Sequence, residues 1–330
     1  MTSRSPISSK TISQFGDNRA IHYNRYDASD CSGSWHQKAE VLPRKPGRAT
    51  AYPSVDVDKV GRPYVTYSRA MGAKDRKSCS QNSCPSGYHC YRSGICIRDF
   101  RQFFTRRKKG AWQSGKWQEP TMLNPGTKRD LAHHGSIFVR NGSSVHAIWL
   151  GQTWHNQTIQ GQTVFYAQHD GSNWTAPQPT PLGAHAADIA ADGSHVHAFS
   201  SRARYTRRTI SPSGASWSRA TGVSNGTALV NLMQMDIDNR GRLHAVWNQD
   251  YRIWYASTDA SGQWRKAKPV SPPKMKGKLY SNEPGIEAGP GGTVHIVWSQ
   301  SQCGFQEPGG GAECEFGAIY YLRTHYDQLQ

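Results

Sequence analysis

Two kinds of chemistry, proton transfer and the binding of a carboxylate, are available to a small set of side chains in this sequence. The set consists of His134, His155, Arg202, Tyr205, Tyr52 and Arg69. Arginine pairs with a carboxylate through two parallel hydrogen bonds, and a neutral histidine or a tyrosine exchanges a proton with a nearby carbon or oxygen. This combination suits removal of a proton from a carbon next to a carboxylate, followed by departure of a protonated oxygen.

The expected roles follow from the side-chain types. We expect Arg202 or Arg69 to neutralise the carboxylate. We expect His134 and His155 to serve as the base or as a positioning pair, because a neutral imidazole can take a proton. Tyr205 or Tyr52 then serves as the acid.

These residues occupy places where the copies of a repeated unit differ. The repeat contains a strand-like motif that reads PYVTY (63–67), VHAIW (145–149), VHAFS (196–200), LHAVW (243–247) and VHIVW (294–298). An extended run and a turn that in most copies contains Gly precede each motif. A third extended segment follows, and after it a turn that ends in Trp in all but the last copy. Alternating Val, Ile, Trp and Tyr between such turns predicts β-strands, and a period of roughly 40 to 70 residues with four strands predicts a propeller.

We therefore predict an all-β chain, a single β-propeller domain over 1–330 with about five four-stranded blades, or six or more. The blades span 51–123, 130–180, 183–223, 228–271, and 280–330 together with 11–41. The last copy stops after its third strand, so we expect the N-terminal strand to complete that blade and close the ring. The histidines that recur in the motif belong to the scaffold.

Two turns carry a resemblance to a known superfamily. STDASGQW (257–264) resembles the Asp box S-x-D-x-G-x-x-W with its Gly displaced by one place, and DGSNW (170–174) is a shortened form. The repeats thus resemble those of the sialidase-like, Asp-box propeller superfamily. This resemblance implies the fold, and the boxes themselves are structural turns.

Propeller blades place the start of the first strand and the end of the second strand on one face, where function usually lies on loops over a rigid frame. The residues predicted there to bind substrate are polar or aromatic and differ between copies. They are His185, Asn231, Asn248, Gln249, Tyr280 and Gln300, and we add Arg106 and Arg107 from the basic run TRRKK (105–109).

A second resemblance concerns activity. HHGSIFV with His155 further along, and AYPSVDVDKVGRPYVTYSR with its Tyr and Arg, are similar to segments of propeller polysaccharide lyases such as the ulvan lyases. This resemblance implies β-elimination in a uronate-containing polysaccharide by His, Tyr and Arg. The sequence departs from those enzymes in having room for fewer blades and in having His185, not Tyr, before Arg202.

Net charge bears on the partner. The chain carries 40 Lys and Arg against 23 Asp and Glu, a net charge of +17, which favours an anionic polysaccharide as the partner of a monomer. No apolar run approaches a membrane span of about 18 residues. A propeller lectin, a sialidase-like hydrolase and, with less support, a nucleic-acid binder remain alternatives. We expect no catalytic cofactor, although a structural calcium or zinc ion stays open.

Cysteines indicate the compartment. Four of them lie in CSQNSCPSGYHCYRSGIC, inside an insert at 70–110, where little apolar content makes disulfides the expected staples. The predicted disulfide cysteines are Cys79, Cys84, Cys90, Cys96, Cys303 and Cys314, which leaves Cys31 over. We therefore predict a secreted or periplasmic protein, although the chain shows no signal peptide.

Overall fold

Almost all regular structure in this chain is β-strand. The computed structural model describes residues 22–23, 26–27, 34–35, 40–42, 50–71, 74–75, 89–91, 95–97, 99–108, 116–124, 130–140, 144–155, 158–183, 186–210, 215–224, 230–272, 279–304 and 313–329. Among these residues, the helical segments are two short 3₁₀ turns, Pro290–Gly292 and Tyr326–Leu329. The prediction of an all-β chain is confirmed.

Two compact units make up the chain, Met1–Thr180 and Pro181–Gln330. The N-terminal unit begins with four two-residue strands: β1 (His22–Tyr23), β2 (Tyr26–Asp27), β3 (Ser34–Trp35) and β4 (Glu40–Val41). β1 pairs with β4 and β2 with β3, so these strands pair with one another. Closure of the last blade by an N-terminal strand stays a prediction.

Eight further strands follow in the N-terminal unit as two four-stranded antiparallel halves, each called a sheet below, which are joined by one parallel pair, Phe100 with Leu131. The first consists of β5 (Thr50–Val57), β6 (Pro63–Met71), β10 (Asp99–Arg106) and β11 (Thr121–Met122). Between β6 and β10 a small sheet is formed by β7 (Lys74–Asp75), β8 (His89–Tyr91) and β9 (Ile95–Ile97). The second four-stranded sheet consists of β12 (Asp130–Val139), β13 (Val145–His155), β14 (Thr158–His169) and β15 (Gln178–Pro179).

The C-terminal unit contains three further antiparallel sheets. One is formed by β16 (Ala187–Ala191), β17 (His195–Ser200), β18 (Arg204–Thr209) and β19 (Thr221–Gly222). The next is formed by β20 (Val230–Ile237), β21 (Leu243–Gln249), β22 (Arg252–Ser257) and β23 (Lys268–Pro269). The last, among the described residues, has three strands: β24 (Leu279–Ala288), β25 (Thr293–Gly304) and β26 (Glu313–His325). The five repeated sheets follow the predicted blades closely.

The second strand is largely buried in four of the five sheets, because neighbouring sheets pack against it, whereas buried and more exposed residues alternate along β25. All seven residues of β21 are buried, which a strand covered on both faces requires. In the N-terminal unit, Tyr64 and Phe104 of the first sheet pack with Ile137 and Val145 of the second. In the C-terminal unit, apolar residues of β21 and β22 pack in the same way with those of β25. Burial between sheets thus supplies the core of each unit.

Carboxylates on the innermost strands join consecutive sheets. Oδ2 of Asp56 accepts a hydrogen bond from the amide of Val139 (2.7 Å). Oδ2 of Asp188 accepts a hydrogen bond from the amide of Met235 (2.7 Å). Oδ2 of Asp236 accepts one from a backbone amide of the sheet that follows it. Hydrogen bonds to charged acceptors are roughly twice as strong as neutral ones. Asp56 and Asp236 thus lie in strands and serve the frame.

The recurring histidines also belong to the frame, as predicted. Each bonds through Nδ1 to the hydroxyl of a tyrosine that lies diagonally across on the third strand. The pairs are His146–Tyr166, His197–Tyr205 and His244–Tyr255, each at 2.8 Å, and His295–Tyr321 at 2.6 Å. A diagonal pair across two antiparallel strands brings two large side chains into contact.

The Asp-box-like turns are compact and hold a tryptophan against the neighbouring sheet. Oδ1 of Asp259 accepts hydrogen bonds from the amides of Ser261 (2.8 Å) and Gln263 (3.0 Å). Trp264, which closes this turn, packs edge-on to Tyr205 of the preceding sheet, with ring centroids 5.3 Å apart. The turn is structural, as the resemblance implies.

Candidate functional site

A β-bulge interrupts the innermost strand of four of the five sheets, and each bulge holds a non-glycine residue with positive φ. These residues are Tyr52 (φ 52°) on β5, His134 (φ 50°) on β12, Leu232 (φ 42°) on β20 and Glu283 (φ 50°) on β24. The left-handed region costs a non-glycine residue about 1–2 kcal/mol, so the surrounding strands must impose it. Bulges re-aim side chains, and these four positions vary from copy to copy.

In the N-terminal unit the two bulges bring a tyrosine and a histidine together. The rings of Tyr52 and His134 have centroids 4.2 Å apart and planes inclined by 41°. Both side chains are half-buried. This contact differs from the four frame pairs, in which the ring centroids lie 5.9–6.1 Å apart and a hydroxyl bonds across one sheet. Tyr52 and His134 instead come from the innermost strands of two different sheets.

Close packing fixes the strand beside His134. Gly135 lies against the fully buried side chain of Gln102, and a Cβ at Gly135 would stand 2.3 Å from Nε2 of Gln102. The hydroxyl of Ser68 donates to Oε1 of Gln102 (3.2 Å), and the backbone N–H of Gln102 donates to Oδ1 of Asn124 (2.6 Å). His134 is thus held by a rigid neighbour.

Arg69 lies on the face of the first sheet that is opposite to the face packed on Gly135. It is 6 % exposed, and its guanidinium carbon stands 3.7 Å above the ring of Phe103. Residues alternate between faces along a strand, so Arg69 shares a face with Phe103, whereas Ser68 and Gln102 share the face that packs on Gly135. We therefore leave Arg69 out of the proposed Tyr52–His134 site.

Arg202 has a different environment although it occupies the same place in the repeat. Strand β17 ends at Ser200, and Arg202 (φ 76°) and Ala203 (φ 47°) form the turn that leads into β18. Arg202 is exposed, while the carbonyl of the buried Ala203 accepts a hydrogen bond from the amide of Val223 (2.8 Å). The turn therefore presents this guanidinium to solvent in the C-terminal unit.

Tyr205 lies in the frame of the C-terminal unit. Its hydroxyl bonds to Nδ1 of His197, and burial raises the pKa of Tyr205 to about 12. Oδ2 of Asp192 bonds to Nε2 of the same histidine (3.0 Å). Burial lowers the pKa of His197, so the imidazole is neutral near pH 7. We therefore leave Tyr205 out of the proposed site.

Three residues predicted to bind substrate are buried in the C-terminal unit. Asn248 donates through Nδ2 to the carbonyl of Ser281, and Oε1 of Gln249 accepts from the indole of Trp247 (3.1 Å). Gln300 is 6 % exposed on β25. The amides of Asn248 and Gln249 hold the strand ends in place. His185 and the side chains of Asn231 and Tyr280 lie outside the described part of the chain.

The remaining predicted positions lie near the outer strands. Nε of Arg106 donates to Oε1 of Gln118 (3.0 Å), and Arg107 is buried where the backbone bridges to Trp117.

The backbone register sets Cys90 opposite Cys96 and Cys303 opposite Cys314. The side chains of these cysteines and of His155, and all of Cys79 and Cys84, are outside the described residues, so the disulfides stay a prediction.

Two bulge residues, Leu232 and Glu283, are not among the predicted site residues, although the sequence places Glu283 near a strand start as a candidate carboxylate for hydrolysis. The bulge of β20 holds Leu232, one residue after Asn231, and the bulge of β24 holds Glu283, after the predicted Tyr280. Glu283 is exposed and Leu232 is 41 % exposed. One signal was present, because Tyr52 and Glu283 each precede a proline.

Among the described residues, no group of three or more His, Cys, Asp or Glu side chains could bind a metal ion. No helix among them is long and apolar enough to cross a membrane.

Comparisons with known proteins identify the fold. No protein-family model matches the sequence, and no curated protein matches it. The chain is similar to the sialidase of Trypanosoma rangeli in complex with sialic acid, with a TM-score of 0.52 and 9% identity over 93% of this chain and 50% of that chain. It is also similar to a protein of unknown function from Dyadobacter fermentans DSM 18053, with a TM-score of 0.51 and 10% identity over 79% of this chain and 80% of that chain.

A looser match is the polysaccharide lyase Uly1, with a TM-score of 0.45 and 9% identity over 70% of this chain and 50% of that chain. The likeness to the sialidase confirms the predicted sialidase-like β-propeller fold. The chain spans half the length of that sialidase. The number of blades and the closure of the ring stay predictions.

Proposed function

We propose that this chain is a carbohydrate-active enzyme that cleaves an anionic, uronate-containing polysaccharide by β-elimination. The contact between Tyr52 and His134 is the observation that carries the proposal. It joins two proton-transfer groups at positions where the residue differs from one repeated sheet to the next. Both residues have backbone in the left-handed region. Strain of this kind persists where surrounding structure over-determines it, and it concentrates at functional sites.

The pair suits the two proton transfers of an elimination. Neutral His134 takes the proton from the carbon next to the uronate carboxylate, and the electrons of that C–H bond form a carbon–carbon double bond. The bond from the adjacent carbon to the glycosidic oxygen breaks, and Tyr52 gives its proton to the departing oxygen. Atoms and charge balance without a cofactor, and water is not consumed.

Arg202 belongs to the C-terminal unit, where its exposed guanidinium is a proposed binding group for a carboxylate of the polymer. The net charge of +17 supports a polyanion as substrate.

A glycoside hydrolase is the second candidate, favoured by the exposed carboxylate of Glu283 at an equivalent bulge. Hydrolysis of a glycosidic bond ordinarily requires two carboxylates flanking that bond. Among the described bulges Glu283 provides one, and the others hold Tyr, His and Leu. A lectin with one sugar site per blade would repeat its binding residues, whereas these differ in every sheet.

The test is incubation with a panel of uronate polymers while the near-ultraviolet absorbance of an unsaturated uronate product is followed. We expect product from at least one polymer, and a loss of about 10²–10⁴-fold in kcat for His134→Gln and for Tyr52→Phe. Tyr321→Phe, which alters an exposed frame pair, is the matched control and should retain activity.

Two results would overturn the proposal. One is the absence of unsaturated product from every polymer, and the other is full activity of folded His134→Gln. New reducing ends without a double bond, lost in Glu283→Gln, would establish the hydrolase instead. Several equal sugar-binding sites per chain without turnover would establish a lectin.

A further inference from the structure

An open basic groove lies in the C-terminal unit, between the end of β19 and the start of β23. A cavity of about 760 Å³ is lined by Gly222, Val223, Ser224, Trp264, Arg265 and Lys266. A second cavity of about 300 Å³ shares Arg265 and Lys266 and adds Lys268. The two cavities therefore share one short stretch of cationic side chains.

The cations of this groove are available to a ligand. Among the described residues, no carboxylate forms an ion pair with Arg265, Lys266 or Lys268. Lys266 and Lys268 are exposed, and Arg265 is half-exposed. Asp259, whose charge couples weakly to Arg265, already accepts hydrogen bonds from Ser261 and Gln263 within its own turn. Three positive charges therefore face one groove.

One end of the groove adjoins the turn that presents Arg202. The amide of Val223, a lining residue, donates to the carbonyl of Ala203, the neighbour of Arg202 (2.8 Å). Arg204, on the far side of Ala203, is also exposed and donates to the carbonyl of Ala220 (2.8 Å). Cationic side chains thus occur at both ends of the same groove.

We propose that this groove, with Arg202 beside it in the same unit, binds an anionic polysaccharide chain. The ligand class is a polymer that carries repeated carboxylate or sulfate groups. A chain with many charges gains more than a single anion does, because each neutralised group releases a condensed counterion. The proposal rests on the proposed function for the nature of the polymer, but it assigns binding here and no chemistry.

The test compares the binding of dextran sulfate, polygalacturonate and uncharged dextran to the full chain over a range of salt concentrations. The groove variant is Arg265→Gln, Lys266→Gln and Lys268→Gln combined. The control combines Lys59→Gln, Lys116→Gln and Arg323→Gln, three exposed cationic residues that line neither cavity and remove the same net charge. Thermal unfolding of both variants checks that they fold.

We expect the groove variant to lose about tenfold in affinity for a charged polymer at moderate salt, with a shallower salt dependence. The control should lose less than about twofold, because each cation it removes is a solvated surface charge. Loss on dextran sulfate alone identifies sulfate as the recognised group, and loss on polygalacturonate identifies carboxylate. Uncharged dextran should bind to neither variant.

Equal affinities of the two variants for both charged polymers would overturn the proposal that the groove binds the polymer. Tighter binding of duplex DNA than of either polysaccharide at the same salt concentration would overturn the choice of polymer. Failure here is distinct from failure of the proposed function. Turnover at saturating polymer measures the Tyr52–His134 chemistry, whereas the affinity difference between the two variants measures the groove alone.

Discussion

Substitution of Gly135 by alanine tests whether close packing behind His134 holds the site. A Cβ at this position would meet Nε2 of Gln102 at 2.3 Å and its Cδ at 2.7 Å. Gln102 is fully buried, so it must move against its surroundings and give up the hydrogen bond from Ser68. Overpacking costs about 1–3 kcal/mol and a lost hydrogen bond about 1 kcal/mol, so we expect about 2–4 kcal/mol of destabilisation.

Urea unfolding measures this loss. With a slope of about 3 kcal/mol per molar urea, the midpoint should fall by about 1 M. Gly161→Ala is the matched control, because nothing lies within 4 Å of a Cβ there and neither glycine has a positive φ. That variant should be neutral or gain up to about 1 kcal/mol.

A double variant makes the reasoning refutable. Once Gln102→Ala has removed the obstructing amide, Gly135→Ala should cost less than about 1 kcal/mol, which leaves a coupling energy above about 1 kcal/mol. A Gly135→Ala midpoint equal to that of Gly161→Ala would refute the packing argument. An equal cost of Gly135→Ala with and without Gln102 would refute it as well.

Three further predictions concern the frame. Tyr255→Phe removes the 2.8 Å bond to His244 in a buried pair and should cost about 1–2 kcal/mol, whereas Tyr321→Phe in an exposed pair should cost less than about 0.5 kcal/mol by urea unfolding. Burial lowers the pKa of His244 below 6.5, so the contribution of the neutral imidazole to stability should be present above that pH and fall as the pH drops below it. His244→Gln should make the melting temperature depend less on pH between pH 7.5 and pH 5. Asp236→Asn weakens the 2.8 Å bond to the amide of Ala288 and should lower the free energy of unfolding by about 1 kcal/mol, and an unchanged midpoint would contradict this.

Much of the frame could be predicted because repetition exposes it. Strand alternation and the recurring turns gave the five sheets, and the recurrence of His244 and its equivalents marked them as structural. The same signal was present for Tyr205, since a tyrosine recurs on the third strand of four copies, but its proton-transfer chemistry made it a candidate. Sequence alone does not show that this tyrosine lies diagonally across from the histidine.

The candidate site was predicted only in part. Tyr52 and His134 were identified because they differ between copies, but their ring contact depends on two bulges. A bulge with positive φ at Tyr or His has no strong sequence signature, so the predicted substrate-binding residue on β24 was Tyr280 and not the bulge residue Glu283. Arg69 and Arg202 match in the repeat, yet β17 ends at Ser200, so one arginine is buried in a strand and the other exposed in a turn.

The aspartates that join innermost strands have a consequence for how each unit opens. Val139 cannot leave its neighbour without exposing the carboxylate of Asp56, and Met235 is tied in the same way to Asp188. Local unfolding of one sheet therefore carries a penalty in the next, which spreads cooperativity through the unit. Fraying should begin at the outermost strands, and the innermost amides should exchange with deuterium last. The segment β7–β9, inserted between β6 and β10, makes none of these carboxylate bonds, so it can vary in sequence without loosening the strands that carry Tyr52 and His134.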